Sequence, residues 1–104
     1  METLNEIATI YVAYSDTHEY RDAIYYVKYL MAQTGVEGWT VSKASGSEGG
    51  ALESVLRIEI AGNGLSTGKD GKRSPILGIV DSLKSTFDQK RVLVVFSQVH
   101  AHIV

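Results

Sequence analysis

The pattern of apolar and polar residues changes its period several times along the 104-residue chain. Residues 7–14, IATIYVAY, alternate with a period of two and are rich in β-branched and aromatic side chains, which predicts a strand. Ile10 and Val12 fall on one face of this strand, and Ile7 and Tyr11 fall on the other. The strand therefore has no strongly polar face.

The period then becomes that of an amphipathic helix. Apolar residues recur at spacings of three and four between residues 17 and 34, which predicts a first helix over Thr17–Thr34. Asp16 and Glu19 have the spacing of a capping box at its start. Gly35 supplies a stop, because glycine readily adopts the left-handed conformation that ends helices.

Two further strands are predicted after this helix. In residues 38–45, GWTVSKAS, Trp39 and Val41 point one way and the residues between them point the other. Residues 45–50, SGSEGG, favour a flexible hairpin connection. Residues 51–62, ALESVLRIEIAG, form a third strand with one solvated face and an irregularity expected near Ser54 and Val55.

A long connection, GNGLSTGKDGKRSP at residues 62–75, leads to a second helix. Ser74 and Pro75 are placed as its N-cap and first helical residue, and the apolar residues that follow have helical spacing up to Phe87. The last predicted strand contains residues 92–96, VLVVF, which are apolar on both faces. This strand is expected near the centre of the sheet.

The order strand, helix, strand, strand, helix, strand predicts a ferredoxin-like α+β fold (split βαβ) in one domain spanning residues 1–104. Its four-stranded antiparallel sheet would carry both helices on one face. The opposite face would then expose Ile7, Tyr11 and Ala13, which is too apolar a patch for water. We expect a homo-oligomer, a dimer or trimer through this open face. The alternative is that the C-terminal segment VHAHIV folds over it.

Composition narrows the classes of function. The formal net charge is −2 with both signs scattered, so neither a basic nucleic-acid footprint nor an acidic surface is evident. Cysteine is absent, which excludes disulfides and thiol catalysis. The acidic start METLNE does not fit a signal peptide, and no stretch has the roughly 20 apolar residues of a membrane span. A cytoplasmic protein without a membrane partner is therefore expected.

The succession of IYVAYSDTHEYRDAIYYVKYLM, GWTVSKASG, ESVLRIEIAG and a terminal apolar strand resembles the PII and CutA-type proteins. That resemblance covers nearly the whole chain and implies trimers that bind ligands between subunits. The segment STGKDGK, residues 66–72, is similar to the phosphate-binding loop of PII proteins. In that family the loop precedes the last strand, whereas here it precedes the second helix, so no binding residue is transferred.

The connection still has the chemistry of an anion site. The phosphate-loop pattern is GxxxxGK followed by Ser or Thr. Gly64, Gly68 and Lys69 do not have this spacing, and Asp70 stands where the hydroxyl should be. Exposed glycine N–H groups, basic side chains and a helix N-terminus nevertheless favour an anion. The predicted site for a small nucleotide-like or phosphorylated ligand comprises Gly68, Lys69, Gly71, Lys72, Arg73 and Ser74. The alternative is a solvated crossover.

Catalytic and metal-binding signals are sparse. His100 and His102 share one face of a strand, but two ligands do not complete a metal site, so no metal or cofactor is predicted. Asp16, His18 and Glu19 could form an acid–base cluster, although helix capping already explains the two carboxylates. The chain is therefore expected not to be an enzyme.

Tyrosines suggest a second class of function. Tyr11, Tyr25 and Tyr29 are candidate partner-binding residues, because tyrosine combines apolar area with a hydroxyl group. The sequence thus predicts a non-enzymatic, homo-oligomeric protein that binds a small anion through residues 62–74. The alternative is an inhibitor or adaptor that docks through a tyrosine-rich surface, such as a phage-encoded counter-defence protein.

Overall fold

The secondary-structure elements follow one another in the predicted order. A computed structural model describes residues 2–14, 18–36, 38–68 and 72–104. The elements are β1 (Glu2–Ala13), α1 (Tyr20–Thr34), β2 (Trp39–Glu48), β3 (Ala51–Gly62), α2 (Pro75–Thr86) and β4 (Leu93–Ile103). The predicted ferredoxin-like α+β architecture is confirmed.

The predicted capping residues of α1 behave differently at its two ends. Gly35 ends the helix in the left-handed conformation with a φ of 77°, and its N–H bonds to the Met31 carbonyl, as predicted. At the other end Glu19 is the N-cap and makes no side-chain capping bond. Asp16 and Thr17 lie outside the described residues.

All strand pairings are antiparallel, and the strand order is β2-β3-β1-β4. The central strands are β1 and β3, so the expected central position of β4 is wrong. α1 connects β1 to β2, which are parallel and not adjacent. β3 follows β2 through a hairpin and lies between β2 and β1. Because β3 takes that central position, β4 pairs with the other side of β1 and lies at an edge of the sheet.

The core lies between the helices and one face of the sheet. It contains alternate residues of the central strands, Ala8, Ile10, Val12, Leu56, Ile58 and Ile60, together with the inner faces of the helices, Ala23, Val27, Met31, Ile76, Ile79, Leu83 and Phe87. No helix in the described ranges is both long enough and apolar enough to cross a membrane.

The face opposite the helices is open, and the C-terminal segment does not fold over it. β4 stays paired with β1 as far as Ile103, which pairs with Glu2, so the alternative in which the C-terminal segment covers the open face is wrong.

The β2–β3 hairpin is longer than predicted, since β2 runs to Glu48 and only Gly49 and Gly50 form the turn. Pairing is continuous through Ser54 and Val55, where an irregularity was expected.

Ser74 caps α2 as predicted and also fixes the preceding connection. Its Oγ accepts a hydrogen bond from the Ile76 N–H at 3.2 Å and donates one to the Leu65 carbonyl. The Leu65 N–H in turn donates to Oε1 of the buried Glu6 at 3.0 Å. Ser74 therefore links the helix start to the connection that β1 holds.

Replacing Ser74 with alanine is expected to lower the free energy of unfolding by about 1–2 kcal/mol. The variant loses the cap and leaves the Leu65 carbonyl without this donor. Urea denaturation measures the loss. Ser85→Ala removes an exposed hydroxyl from the same helix and should change stability by less than about 0.5 kcal/mol, so an equal loss in both variants would contradict the capping role.

Candidate functional site

A cavity of about 520 Å³ lies on the open face of the sheet, where the β2–β3 hairpin projects beyond the end of β1. We call it the open-face pocket. It is lined by Tyr11, Ala13, Ala44, Ser45, Gly46, Ser47, Glu53, Val55, Gln89, Arg91, Val92 and Leu93. Its size is within the range of sites that bind nucleotide-sized ligands.

Small side chains make the floor of the pocket flat. Ala13 and Ala44 both stand opposite Val55, on its two neighbouring strands. Gly46 stands opposite Glu53, and a Cβ atom added to Gly46 would lie 3.1 Å from Val55 Cγ2. A larger residue at Gly46 would therefore disturb the floor. A flat apolar surface of this kind suits the face of a planar ring.

Polar and charged groups surround this floor. Tyr11 and Leu93 face each other across β1 and β4 at one side, and Glu53 extends from β3 at another. Arg91 comes from the connection between α2 and β4. The pocket therefore offers a carboxylate, a guanidinium group and a phenol around an apolar floor, which suits a ligand that carries both charges and a ring.

Hydrogen bonds fix the connection that carries Arg91. Phe87 ends α2 with its N–H bonded to the Leu83 carbonyl at 3.0 Å, and Asp88 has a positive φ of 51°. Gln89 returns to the helix through a bond from its N–H to the Lys84 carbonyl at 2.9 Å and one from Nε2 to the Phe87 carbonyl at 3.0 Å. The chain thus enters β4 from a defined turn.

The described part of the 62–74 connection is compact. Gly68 has a φ of 76°, and a Cβ atom there would collide with the Lys72 carbonyl, so the backbone requires glycine. Arg73 pairs with Asp81 at 3.1 Å, and Lys72 is exposed. Lys69 and Gly71 of the predicted anion site lie outside the described residues.

The start of α2 has little capacity left for an anion. The Ile76 N–H is bonded to Ser74 Oγ, the Leu77 N–H to the Ser74 carbonyl at 3.2 Å, and Pro75 has no N–H. Asn63 ties the first part of the connection to β1, since its Oδ1 accepts from the Asn5 N–H at 2.9 Å. These bonds give the described part of the connection a structural role, and the anion site there stays a prediction.

The candidate tyrosines do not share one surface. Tyr25 and Tyr29 lie side by side on the solvent side of α1, with side chains 63% and 60% exposed. Tyr11 instead lines the open-face pocket, on the opposite side of the sheet. Strand alternation places Tyr11 away from the helices, so a single tyrosine-rich surface that includes all three residues does not form.

The histidines lie away from the open-face pocket. His102 lies on β4 where this strand pairs with β1, and its Nδ1 is 3.4 Å from Thr3 Oγ1. It lines a second cavity, of about 860 Å³, at the other end of the sheet. His18 packs edge-on against Phe87. Within the ranges that the structure describes, no three His, Asp or Glu residues are grouped so as to hold a metal ion.

No family model and no curated protein matches the chain. Solved structures do match. A phage SAM lyase in the apo state matches with a TM-score of 0.65 at 15% identity, and the match covers 95% of this chain and 86% of the lyase chain. A phage SAM lyase in complex with S-methyl-5'-thioadenosine has a TM-score of 0.56 at 19% identity, covering 90% and 81%. CPII, a nitrogen regulatory PII-like protein from Thiomonas intermedia K12 bound to ADP, AMP and bicarbonate, has a TM-score of 0.57 at 12% identity, covering 99% and 97%.

These similarities confirm the PII-type architecture and overturn one prediction. The expectation that the chain is not an enzyme is wrong on this finding, because two of the similar structures are lyases. The reasoning from sequence missed Glu53 and Arg91 and considered Tyr11 only as a docking residue. Their convergence depends on strand register and on the turn before β4, for which the sequence carries no motif.

Proposed function

We propose that this chain binds S-adenosylmethionine in the open-face pocket and cleaves it as a lyase. The observation that carries the proposal is the pocket itself, in which Glu53, Arg91 and Tyr11 surround a flat apolar floor. The fold shared with two phage SAM lyase structures, one of them in complex with S-methyl-5'-thioadenosine, supports it. The adenine nucleotides bound to the PII-like CPII support an adenosine-containing ligand on this fold.

The adenine ring and the charged groups of S-adenosylmethionine have matching groups in the pocket. The adenine ring would lie on the floor made by Ala13, Ala44 and Gly46, which bring no bulk above the sheet. The sulfonium and ammonium cations suit the Glu53 carboxylate and the face of the Tyr11 ring. The substrate carboxylate suits the guanidinium of Arg91, since arginine can bind a carboxylate through two parallel hydrogen bonds.

The reaction removes a positive charge. When the bond between sulfur and the methionine-derived carbon breaks, sulfur keeps the electron pair and becomes the neutral thioether of S-methyl-5'-thioadenosine. The carbon either bonds to the substrate's own carboxylate oxygen, which closes a five-membered lactone, or forms a double bond with its neighbour, whose C–H bond breaks as the proton passes to a carboxylate of the pocket lining. A cation held against an apolar floor is poorly solvated, so the environment favours the loss of that charge.

Incubation with S-adenosylmethionine is expected to yield S-methyl-5'-thioadenosine, detected by liquid chromatography and mass spectrometry. The accompanying four-carbon product, a lactone or an unsaturated amino acid, identifies the bond that forms. A variant with alanine at Lys69, Lys72 and Arg73 should retain the activity, because the proposed site is the open-face pocket, and Lys72 and Arg73 do not line it. Absence of the thioether product would overturn the lyase proposal, and its loss in the triple variant would move the site to the 62–74 connection.

The proposed active form is a homo-oligomer in which other copies cover the open face. Leu93 and Val95 are exposed there beside the half-buried Ile7 and Tyr11, which leaves an apolar surface next to the pocket. The PII-type resemblance of the sequence, with its ligand sites between subunits, supports the same arrangement. Docking of another protein on Tyr25 and Tyr29, as in a counter-defence role, stays a prediction.

A further inference from the structure

One side chain of the open-face pocket is held by hydrogen bonds that fix the direction of its amide group. Gln89 belongs to the connection between α2 and β4 and lines the pocket. Its backbone N–H donates to the Lys84 carbonyl at 2.9 Å, and its side-chain Nε2 donates to the Phe87 carbonyl at 3.0 Å. Gln89 is half-buried, so both ends of the residue are held in place.

The Phe87 carbonyl determines which end of the Gln89 amide is the nitrogen. A backbone carbonyl can only accept a hydrogen bond, so a flipped amide would place Oε1 against another oxygen. Phe87 ends α2 and its ring is fully buried, which fixes the position of this carbonyl. The bond uses one of the two N–H groups, so the Oε1 acceptor and the second N–H remain for a ligand.

The position of Gln89 suits contact with the edge of a ring that lies on the pocket floor. Leu93 is the first residue of β4 and pairs with Tyr11, so Gln89, which precedes Leu93, lies beyond the end of the β1–β4 pairing. The floor is the sheet itself, with Ala13 at the end of β1. A planar base lying flat on this floor can turn one edge, with its hydrogen-bonding groups, toward residues beyond the strand ends.

We infer that Gln89 selects adenine over purines that carry an oxygen at position 6, an inference that rests on the proposed function. Oε1 would accept from the 6-amino group, and the second N–H would donate to a neighbouring ring nitrogen, which is how glutamine recognises adenine in DNA. In a 6-oxo purine an oxygen replaces the amine and would face Oε1. A glutamine free to turn its amide would accept either base, but the Phe87 carbonyl opposes that turn.

The other polar side chains of the pocket do not make this distinction. The hydroxyl groups of Ser45 and Ser47 can donate or accept, so they can bind an amine or an oxygen. Arg91 has donors only, and Glu53 has acceptors only and is assigned to the cations of the substrate in the proposed function. Of the described lining residues, Gln89 alone combines a fixed acceptor with a fixed donor.

The binding of two thioethers tests the inference on the wild-type protein. S-methyl-5'-thioadenosine and its 6-oxo analogue, S-methyl-5'-thioinosine, differ in the base and carry no charged group. Isothermal titration calorimetry should give a Kd for S-methyl-5'-thioadenosine that is roughly 5- to 150-fold lower than the Kd for S-methyl-5'-thioinosine. Equal affinities for the two compounds overturn the inference.

Gln89→Leu removes the amide and keeps a side chain of similar size. S-methyl-5'-thioadenosine should bind more weakly by the factor that separates the two compounds in the wild-type protein, whereas the Kd of S-methyl-5'-thioinosine should change by less than about threefold. If Gln89 only supported the turn that carries Arg91, both compounds would lose affinity in the same ratio. A wild-type ratio of affinities in Gln89→Leu therefore overturns the inference.

Gln33→Leu is the matched control, because the amide of Gln33 also donates a hydrogen bond within the chain. Its Nε2 donates to the Tyr29 hydroxyl at 2.8 Å on the exposed side of α1, and Gln33 does not line the open-face pocket. This variant should keep the wild-type ratio of affinities. Loss of selectivity in Gln33→Leu would mean that the preference for adenine does not come from Gln89, and it would overturn the assignment.

Cleavage of S-adenosylmethionine is scored separately from base selectivity. A protein that selects adenine through Gln89 but releases no S-methyl-5'-thioadenosine overturns only the lyase. A protein that releases this product but binds the two thioethers equally overturns only the role of Gln89. If neither thioether binds, the inference is overturned, and cleavage of S-adenosylmethionine still decides the proposed function.

Discussion

Phe87→Ala is expected to lower the free energy of unfolding by about 3–5 kcal/mol. The Phe87 ring is fully buried, and it meets the rings of His18 and Tyr26 edge-on at centroid distances of 5.1 and 5.7 Å. Alanine would leave a cavity that rigid backbone elements on every side cannot close. Because a small domain has a total stability of about 5–15 kcal/mol, the loss should be visible as a large fall in the urea midpoint.

The same variant should also weaken ligand binding in the open-face pocket. Alanine keeps the backbone carbonyl that accepts the Gln89 side-chain bond, but the turn that leads to Arg91 loses the buried ring that anchors it in the core. Phe87→Leu keeps an apolar side chain and should lose roughly half as much stability or less. If Phe87→Ala were as stable as Phe87→Leu, the ring would not be a packing anchor of the α2–β4 turn.

Local signals were sufficient where the structure depends on a few neighbouring residues. Ser74, Pro75 and Gly35 predicted helix ends correctly, because capping bonds and φ preferences act within one turn of the chain. The alternation in residues 51–62 likewise predicted a strand with Ile58 and Ile60 on the buried face, since a strand shows its period over a few residues.

The position of β4 was not predictable in the same way. Its two-sided apolarity indicates that neighbours cover it, but it does not say whether those neighbours belong to the same chain. The prediction assumed that they did, whereas the structure places Leu93, Val95 and Phe96 at an exposed edge. The predicted central position was therefore wrong, because two-sided apolarity does not distinguish cover by the same chain from cover by another molecule.

The open-face pocket illustrates a second limit. Ala44, Glu53 and Arg91 come from three elements and have no shared motif, so only the pairing register and the turn after Phe87 reveal that they are neighbours. The glycine-rich connection, by contrast, contains many of the residues typical of an anion site. In its described part those residues instead support the turn at Gly68 and the cap at Ser74.

Glu53→Gln is expected to weaken binding of S-adenosylmethionine by about 1.5–3 kcal/mol, which is roughly 10- to 150-fold in Kd, and to leave binding of S-methyl-5'-thioadenosine unchanged. Glutamine keeps the shape of the side chain but removes the negative charge that would meet the sulfonium and ammonium groups. S-methyl-5'-thioadenosine carries neither cation, so its affinity should not depend on the charge of residue 53. Isothermal titration calorimetry with both compounds measures the difference.

The matched control is Glu59→Gln, the same change on the open face of the same strand. Glu59 pairs with Arg57 at 3.3 Å and lies outside the open-face pocket, so its removal should change both affinities by less than about threefold. Equal weakening of both compounds in Glu53→Gln would mean that the residue shapes the pocket without recognising charge. Equal weakening of S-adenosylmethionine binding in both variants would show a general effect of the surface charge, and it would remove Glu53 from the site.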